Sequence, residues 1–377
     1  MLRALDLGQL GWRIESVDAL ILTLLAHRMS LALNVGAYKL AIKAPIYRSD
    51  KEKDRLEKVR VLAQSLGLNP EFAHALLYFI IDESCKQQMI QLQGSYELPV
   101  DTDDEDEWYR LLKQNLLDLT KRIASLYDQK YDDEFFASNL YRMFERKVLL
   151  EEIGVLSHRA LAIDLGCATG RQTFEMADHF DNVIGYDISP EMLSVAEEKK
   201  DKVTHEKVVF CQADLEDGIS LPDESVSFAV MNLGTASDVR NIDYILAEVG
   251  RVLVPDGRFL FSFYNLDALV YQWSFLPWPV SLAAEINHEK RCLDVHVDHG
   301  IFSVYARAYS VEEVKTLFIS NTKLKIERIL SFPTVSPILP EMLFREDRAK
   351  IAISTLDETL ANSGLGAYII ATGIKNG

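Results

Sequence analysis

The chain has 377 residues, of which 48% are hydrophobic and 26% charged, and its formal net charge is −17. That length accommodates two or three domains with a sizeable core, and the acidity argues against a nucleic-acid partner, whose phosphates reward clustered Lys and Arg. The charge is uneven: residues 1–94 hold twelve Lys or Arg against ten Asp or Glu, so this segment is +2 and the rest of the chain −19.

From Ile14 to Lys39 there is no proline, and Ile14, Val17, Ile21, Leu24, Leu25, Leu31, Ala32 and Val35 recur at helical spacing, which predicts one long amphipathic helix. Pro45 interrupts the pattern, residues 50–63 resume it, and Pro70 opens a third helix running to about Gln93. The long helix has more apolar surface than two short partners can cover, so a homodimer through the N-terminal helices is expected. Arg28 and Lys39 project from one stripe of the first helix, Lys51 and Glu52 open the second, and Ser84 and Gln88 are i, i+4 on the third. This set is suited to converge on a small polyanion.

RIESVDALILTLLAHRMSLALNVGAYK, the P-x-x-x-x-D-K-E-K run and IIDESCKQQ together resemble the all-helical chorismate mutases over residues 8–93. The resemblance implies an interlaced dimer in which Arg28 and Lys39 hold substrate carboxylates and Lys39 and Gln88 lie near the ether oxygen. It further implies that Ser84 and Glu52 contact the ring carboxylate region and the hydroxyl. Chorismate to prephenate is an intramolecular rearrangement, so such a site works by enforcing the reactive conformer and stabilising separated charge. Three positions depart from the family pattern: Gly11 where an arginine reaches across the dimer, Arg48 where an aspartate is common, and Lys51 where arginine is usual. Lys51 keeps charge but loses the bidentate fork.

Residues 95–107, SYELPVDTDDEDE, read as an acidic linker. Residues 108–153 then read as helical with a polar break at YDDEFF, and Tyr127, Tyr131 and Arg142 are placed to cap a cofactor, touch substrate or simply pack.

Next comes LAIDLGCATG, residues 161–170, where apolar β-type residues lead into Asp164, a glycine turn follows, and RQTFEMADHF reads as a helix. Gly166 and Gly170 allow close backbone approach, and the amides that open the helix are placed to face an anionic group. The spacing is GxxxG and not the dinucleotide GxGxxG, while Asp187 ends the next apolar run, where an acid would grip ribose hydroxyls. DLGCATG followed by such an acid resembles the class I S-adenosylmethionine-dependent methyltransferases. That resemblance implies S-adenosylmethionine as cofactor, with Asp164, Gly166, Cys167, Gly170, Asp187, Ile188, Asp214, Leu215 and Asn232 around it.

The alternation continues as in a doubly wound sheet, with strands expected at 160–164, 182–186, 207–211, 226–231, 257–263, 324–331 and 367–374. After the fifth strand, Tyr264, Tyr271, Trp273 and Trp278 suit either a lid over an aromatic or alicyclic substrate or a packing surface. His288, Asp294, His296, Asp298 and His299 raise a metal question, but their spacing matches no three-ligand signature and no metal is expected. Arg307 and Tyr309 are candidates for a substrate carboxylate.

The apolar stretch from Phe263 to Ala284 holds Asn265, Asp267, Gln272, Pro277 and Pro279 and is rejected as a membrane span. Four scattered cysteines and an N-terminus without a continuous apolar core lead to the expectation of a cytoplasmic protein with reduced thiols. The expected architecture is an all-α domain (1–94) of three helices in an interlaced dimer, then a linker and an α/β doubly wound, Rossmann-like domain (108–377). The expected function is a bifunctional enzyme: chorismate mutase joined to a methyltransferase for a small chorismate- or prephenate-derived metabolite. The alternatives are a methyltransferase governed by an inactive mutase-like sensing dimer, and carboxyl transfer from prephenate to S-adenosylmethionine.

Overall fold

The computed structural model describes residues 7–42, 49–93, 104–128, 136–203, 206–272, 284–297, 300–320, 323–339, 344 and 347–376. These form two compact units: among the described residues, the first holds those before residue 98 together with 296–297 and 300–301, and the second holds the remainder.

The first unit contains α1 (Leu7–Ala41), α2 (Ser49–Ser65) and α3 (Pro70–Gln93). Proline at the first position of α3 gives up an amide that has no helical partner there, and the Asn69 side chain accepts the amides of Glu71 and Phe72 at 2.9 and 3.1 Å. Helices α1 and α3 run side by side in the same direction: Arg28 reaches Ile80 and Ser84, and Gly36, two turns on, meets Gln88. A Cβ at Gly36 would stand 2.7 Å from Gln88 Cγ, so a bare backbone lets the helices approach. Much of the remaining surface of α1 is apolar and uncovered, with Trp12 68%, Leu20 62%, Leu22 67% and Leu24 67% exposed.

The second unit begins at α4 (Glu105–Ile123). Part of the expected acidic linker belongs to this helix: the Asp104 side chain accepts the amides of Asp106 and Glu107 as N-cap, and Glu105, Asp106 and Glu107 fill the first turn, where the helix dipole favours negative charge. A second helix, α5 (Phe136–Gly154), precedes the sheet.

The sheet has seven strands in the order β3-β2-β1-β4-β5-β10-β9. They are β1 (Leu161–Leu165), β2 (Asn182–Asp187), β3 (Val208–Gln212), β4 (Val226–Met231), β5 (Leu253–Tyr264), β9 (Leu324–Phe332) and β10 (Tyr368–Lys375). Strand β10 pairs antiparallel with β5 and β9, and the other pairings are parallel. The two faces are legible along β5. Phe259, Phe261 and Phe263 join one cluster with Ile245, Leu246, Val314 and Phe318 of α8 (Ile242–Val252) and α9 (Val311–Ser320). Leu260 joins the other, with Leu140, Tyr141, Phe144 and Leu149 of α5. Buried on both faces, the central strands are near-continuous apolar runs. Helices α6 (Arg171–Ala177) and α7 (Pro190–Val203) follow β1 and β2.

A three-stranded sheet, β6 (Ala284–Asn287), β7 (Cys292–Val297) and β8 (Gly300–Tyr305), follows β5 in the chain and includes Asp294 and His296 on β7. Trp273, Trp278, Asp298 and His299 lie outside the described residues, as do Tyr131 and Arg48.

Candidate active sites in two domains

The turn after β1 is built from its own backbone. Gly166 and Cys167 donate to the Tyr186 carbonyl at 2.8 and 2.9 Å, Ala168 donates to Asp187 Oδ2 at 2.7 Å, and Gly170 donates to Cys167 O at 2.8 Å. These four donors of the turn are engaged within the protein. Gly166 and Gly170 have φ of 81° and 80°, the left-handed region. A Cβ at Gly166 would meet Thr235 Cγ2 at 2.5 Å, and one at Gly170 would meet Phe210 Cζ at 2.6 Å.

Asp187 sits at the centre of this turn. Oδ1 accepts the Ser189 amide at 2.8 Å and Oδ2 the Ala168 amide, and a carboxylate has about four acceptor positions, so capacity for a further donor remains. Burial raises its pKa, and these backbone donors oppose the rise. Ile188 follows it, half-buried. Asp164 is buried, accepts the Thr173 hydroxyl at 2.6 Å and is pushed up to about 7 by burial. Cys167 is buried and its thiol is driven well above the usual range, again by burial, so it stays neutral and packs behind the turn.

Just past β4, Asn232 is 5% exposed, and neither its amide nitrogen nor its amide oxygen has a hydrogen-bond partner. A buried carboxamide left so costs about 1–3 kcal/mol per group, a deficit that a polar ligand would repair. The next residue, Leu233, lines an open cleft together with Tyr127, Arg142, Asp164, Gly166, Ala168 and Gln172.

Two cofactor candidates are otherwise engaged. Asp214 Oδ2 accepts Lys113 Nζ at 2.5 Å, and its Oδ1 caps the turn at Glu216. Lys113 is on α4, 101 residues upstream, so the pairing has no local signal. Leu215 is 9% exposed and belongs to the hydrophobic core.

The substrate candidates separate. Tyr264 is half-buried, 5.7 Å from the Tyr368 ring. Tyr309 is fully buried among core residues, and Arg307 packs 4.6 Å above its ring and 3.3 Å from Glu313. Tyr309 is therefore part of the core and does not present itself to a substrate. Asp294 accepts the Ser303 hydroxyl at 2.5 Å, and among the described residues no group of three or more metal-ligating side chains forms.

Glu145 carries no local sequence signal beyond its place on the apolar stripe of Tyr141, Phe144 and Val148. It is fully buried on α5, where its carboxylate accepts the Tyr141 hydroxyl at 2.8 Å and the Leu233 amide at 3.0 Å. Burial pushes it up to about 7. It thereby ties α5 to the turn after β4.

In the helical unit, Arg28 Nη1 donates to the Ile80 carbonyl at 3.0 Å and to Ser84 Oγ. Ser84 and Gln88 are both buried, and Gln88 Nε2 donates to the Ser84 carbonyl at 3.1 Å while its Oε1 is buried without a hydrogen-bond partner. Lys39 lies half-buried nearly a turn beyond Gly36. Arg28, Ser84 and Gln88 thus come together along one seam. Lys51 is exposed on α2, and the Glu52 side chain lies outside the described set. No atom comes within 4 Å of a Cβ built at Gly11.

Comparison with known families assigns both units. The chorismate mutase type II family matches residues 11–89, and a methyltransferase domain family matches residues 157–318. An uncharacterized protein of Methanocaldococcus jannaschii is 30% identical over 267 residues, 70% of this chain and 87% of its own length. A Saccharomyces cerevisiae protein described as a probable S-adenosylmethionine-dependent methyltransferase is 29% identical over 174 residues, 46% of this chain and 53% of its own. The bifunctional chorismate mutase/prephenate dehydratase of Escherichia coli is 35% identical over 81 residues, 22% of this chain and 21% of its own. The chain thus spans about half of the yeast relative (53%) and a fifth of the bacterial one (21%). Among solved structures, an S-adenosylmethionine-dependent methyltransferase from Mesorhizobium loti aligns over 61% of this chain and 98% of its own, at 20% identity and a TM-score of 0.41. The chain consists of a chorismate mutase type II domain followed by a domain of the S-adenosylmethionine-dependent methyltransferase family.

Proposed function

We propose that this protein is a bifunctional enzyme that converts chorismate to prephenate and methylates a small metabolite derived from one of them. The observation that carries the methyltransferase half is Asn232, a buried carboxamide with both ends unpartnered beside a cleft edged by the glycine turn. The residues fit S-adenosylmethionine: Asp187 keeps acceptor capacity for a ribose hydroxyl, Gly166 and Ala168 present bare turn, and Asn232 offers donor and acceptor. When bound, the cofactor supplies an electrophilic methyl group on a sulfonium. The protein's share is to orient the acceptor in line with it and exclude water. Asp164 and Glu145 are buried and engaged, so neither is assigned as a general base.

In the helical domain, Arg28, Ser84 and Gln88 stand along the α1–α3 seam, and with Lys39 further along α1 a compact dicarboxylate would meet two cations and an amide. The apolar flank of α1, long and apolar enough by length and composition to cross a membrane, is covered in this reading by a second copy of the chain, which also completes each site. We place the protein in the cytoplasm, where scattered thiols stay reduced.

Gly11 favours a second reading, a sensing module with little turnover, because one missing electrostatic donor costs about two to three orders of magnitude in rate. Chorismate consumption by the full-length protein, together with calorimetric binding of S-adenosylhomocysteine, tests both halves. Absence of consumption at high enzyme concentration defeats the mutase half, and absence of binding defeats the methyltransferase half.

A further inference from the structure

The open cleft covers only part of the expected cofactor site. Its lining includes Asp164, Gly166, Ala168 and Leu233, but not Asp187, Ile188, Asp214 or Leu215. The loops that carry those four residues are bonded to one continuous segment, α4 and the 3-10 turn after it, residues 105–128.

This segment crosses the carboxyl ends of three strands that stand side by side in the order β3-β2-β1. Just past β3, Lys113 Nζ donates to Asp214 Oδ2 at 2.5 Å and to Glu216 Oε2 at 3.3 Å. About two helical turns further along, Thr120 Oγ1 accepts the Ser189 hydroxyl at 2.9 Å, just past β2. Beyond the helix, Asp128 accepts the Thr169 hydroxyl at 2.7 Å, just past β1, and pairs with Lys199 of α7 and, at 3.3 Å, with Arg171.

The two ends of the segment are held differently. Near its start, Tyr109 and Leu112 are buried with Cys292 and Tyr305, and the Tyr109 and Tyr305 rings meet edge to face at 5.1 Å. From Lys113 onward, the bonds to the strand ends are a half-buried ion pair, a hydroxyl contact and a carboxylate shared among three donors. Partly exposed ion pairs contribute little stability each, so this half can release while the apolar anchor stays packed. Leu119 and Ala124 are buried on it as well, which keeps the released form a minor population.

We propose that residues 113–128 are a strap that lifts from the ends of β3, β2 and β1 to let S-adenosylmethionine seat its ribose at Asp187. The proposal rests on the methyltransferase reading and adds the step that controls cofactor access. Entry is slowed by the small fraction of molecules with the strap raised, and any change that weakens its bonds increases that fraction.

The test is stopped-flow binding of S-adenosylhomocysteine to the full-length protein. This probe is a zwitterion without net charge, so salt has little effect on its diffusional encounter and acts through the strap's ion pairs. Raising salt from about 0.05 to about 0.5 M should increase the association rate constant about threefold or more, and less in Lys113→Met. At low salt, Lys113→Met and Thr120→Val should each associate about threefold faster than the wild type. In the double variant Thr120→Cys with Ser189→Cys, a bridge confirmed by thiol counting should slow association about tenfold or more, and dithiothreitol should restore it; oxidised wild type is the control. Association unmoved by salt and by both single variants overturns the proposal, as does bridged protein that binds as fast as its reduced form. Variants that speed dissociation alone also overturn it, since that result marks a purely structural role. If S-adenosylhomocysteine binds at rates independent of the strap, this inference alone fails; if it does not bind the wild type, the methyltransferase reading fails with it.

Discussion

Replacing Asp187 by Asn keeps the shape of the side chain and removes its charge. The two native bonds run from the Ala168 amide at 2.7 Å and the Ser189 amide at 2.8 Å to separate carboxylate oxygens. Asparagine has one acceptor oxygen, so one of these amides must face an NH₂ group and lose its partner. Hydrogen bonds to a charged group contribute about 1.5–3 kcal/mol, and Ala168 holds φ 46°, a conformation costly without support. The same oxygen would have met a ribose hydroxyl. The expected loss of S-adenosylhomocysteine affinity is thus about 1.5–3 kcal/mol, roughly 10- to 150-fold in Kd, with a fall in Tm of a few degrees. Titration calorimetry and a thermal melt of the full-length variant measure both. A Kd within about threefold of the wild type, with an unchanged Tm, would refute the reasoning.

Gly166→Ala brings a Cβ to 2.5 Å from Thr235 Cγ2 at φ 81°, so it should weaken S-adenosylhomocysteine binding, and Thr235→Ser should restore the clash component while leaving about 1–2 kcal/mol of backbone strain; no rescue would count against the packing argument. Glu145 is raised from 4.5 to about 7 by burial, so its contribution to stability is complete below about pH 4.5 and is lost as pH rises through 7, by at most about 3 kcal/mol. Wild-type Tm should therefore fall relative to Glu145→Gln between pH 5 and pH 8, and parallel curves would sink the assignment. Gly11→Arg, placed where nothing lies within 4 Å, should raise chorismate turnover about tenfold or more if the missing donor limits the rate; an unchanged rate would show that another group already fills that role.

Strand positions were legible to within a residue for six of the seven sheet strands because buried parallel strands are apolar runs between turn signals. The fifth starts at Leu253, four residues before the expected 257. Pro255, Asp256 and Gly257 look like a turn, yet the strand passes through them with Asp256 at φ 63° and a register shift opposite Val226 and Phe228. The glycine turn and Asp187 were legible because a short local motif fixes them. Lys113 against Asp214, Arg171 against Asp128 and Glu145 against Leu233 were not, since each joins residues 43 to 101 apart in sequence. The sheet β6–β8 was hidden by charged residues on a strand, Glu285 and Asp294 facing each other across the ladder.

The central claim is that the two domains serve connected chemistry. Full-length protein incubated with chorismate and S-adenosylmethionine, with products weighed by mass spectrometry, tests it most directly. The account predicts prephenate or its derivative carrying one added methyl group, together with S-adenosylhomocysteine. Chorismate consumed while the cofactor is unchanged would contradict it; a cofactor made heavier by a carboxyl group would keep the connection and replace methyl transfer by carboxyl transfer.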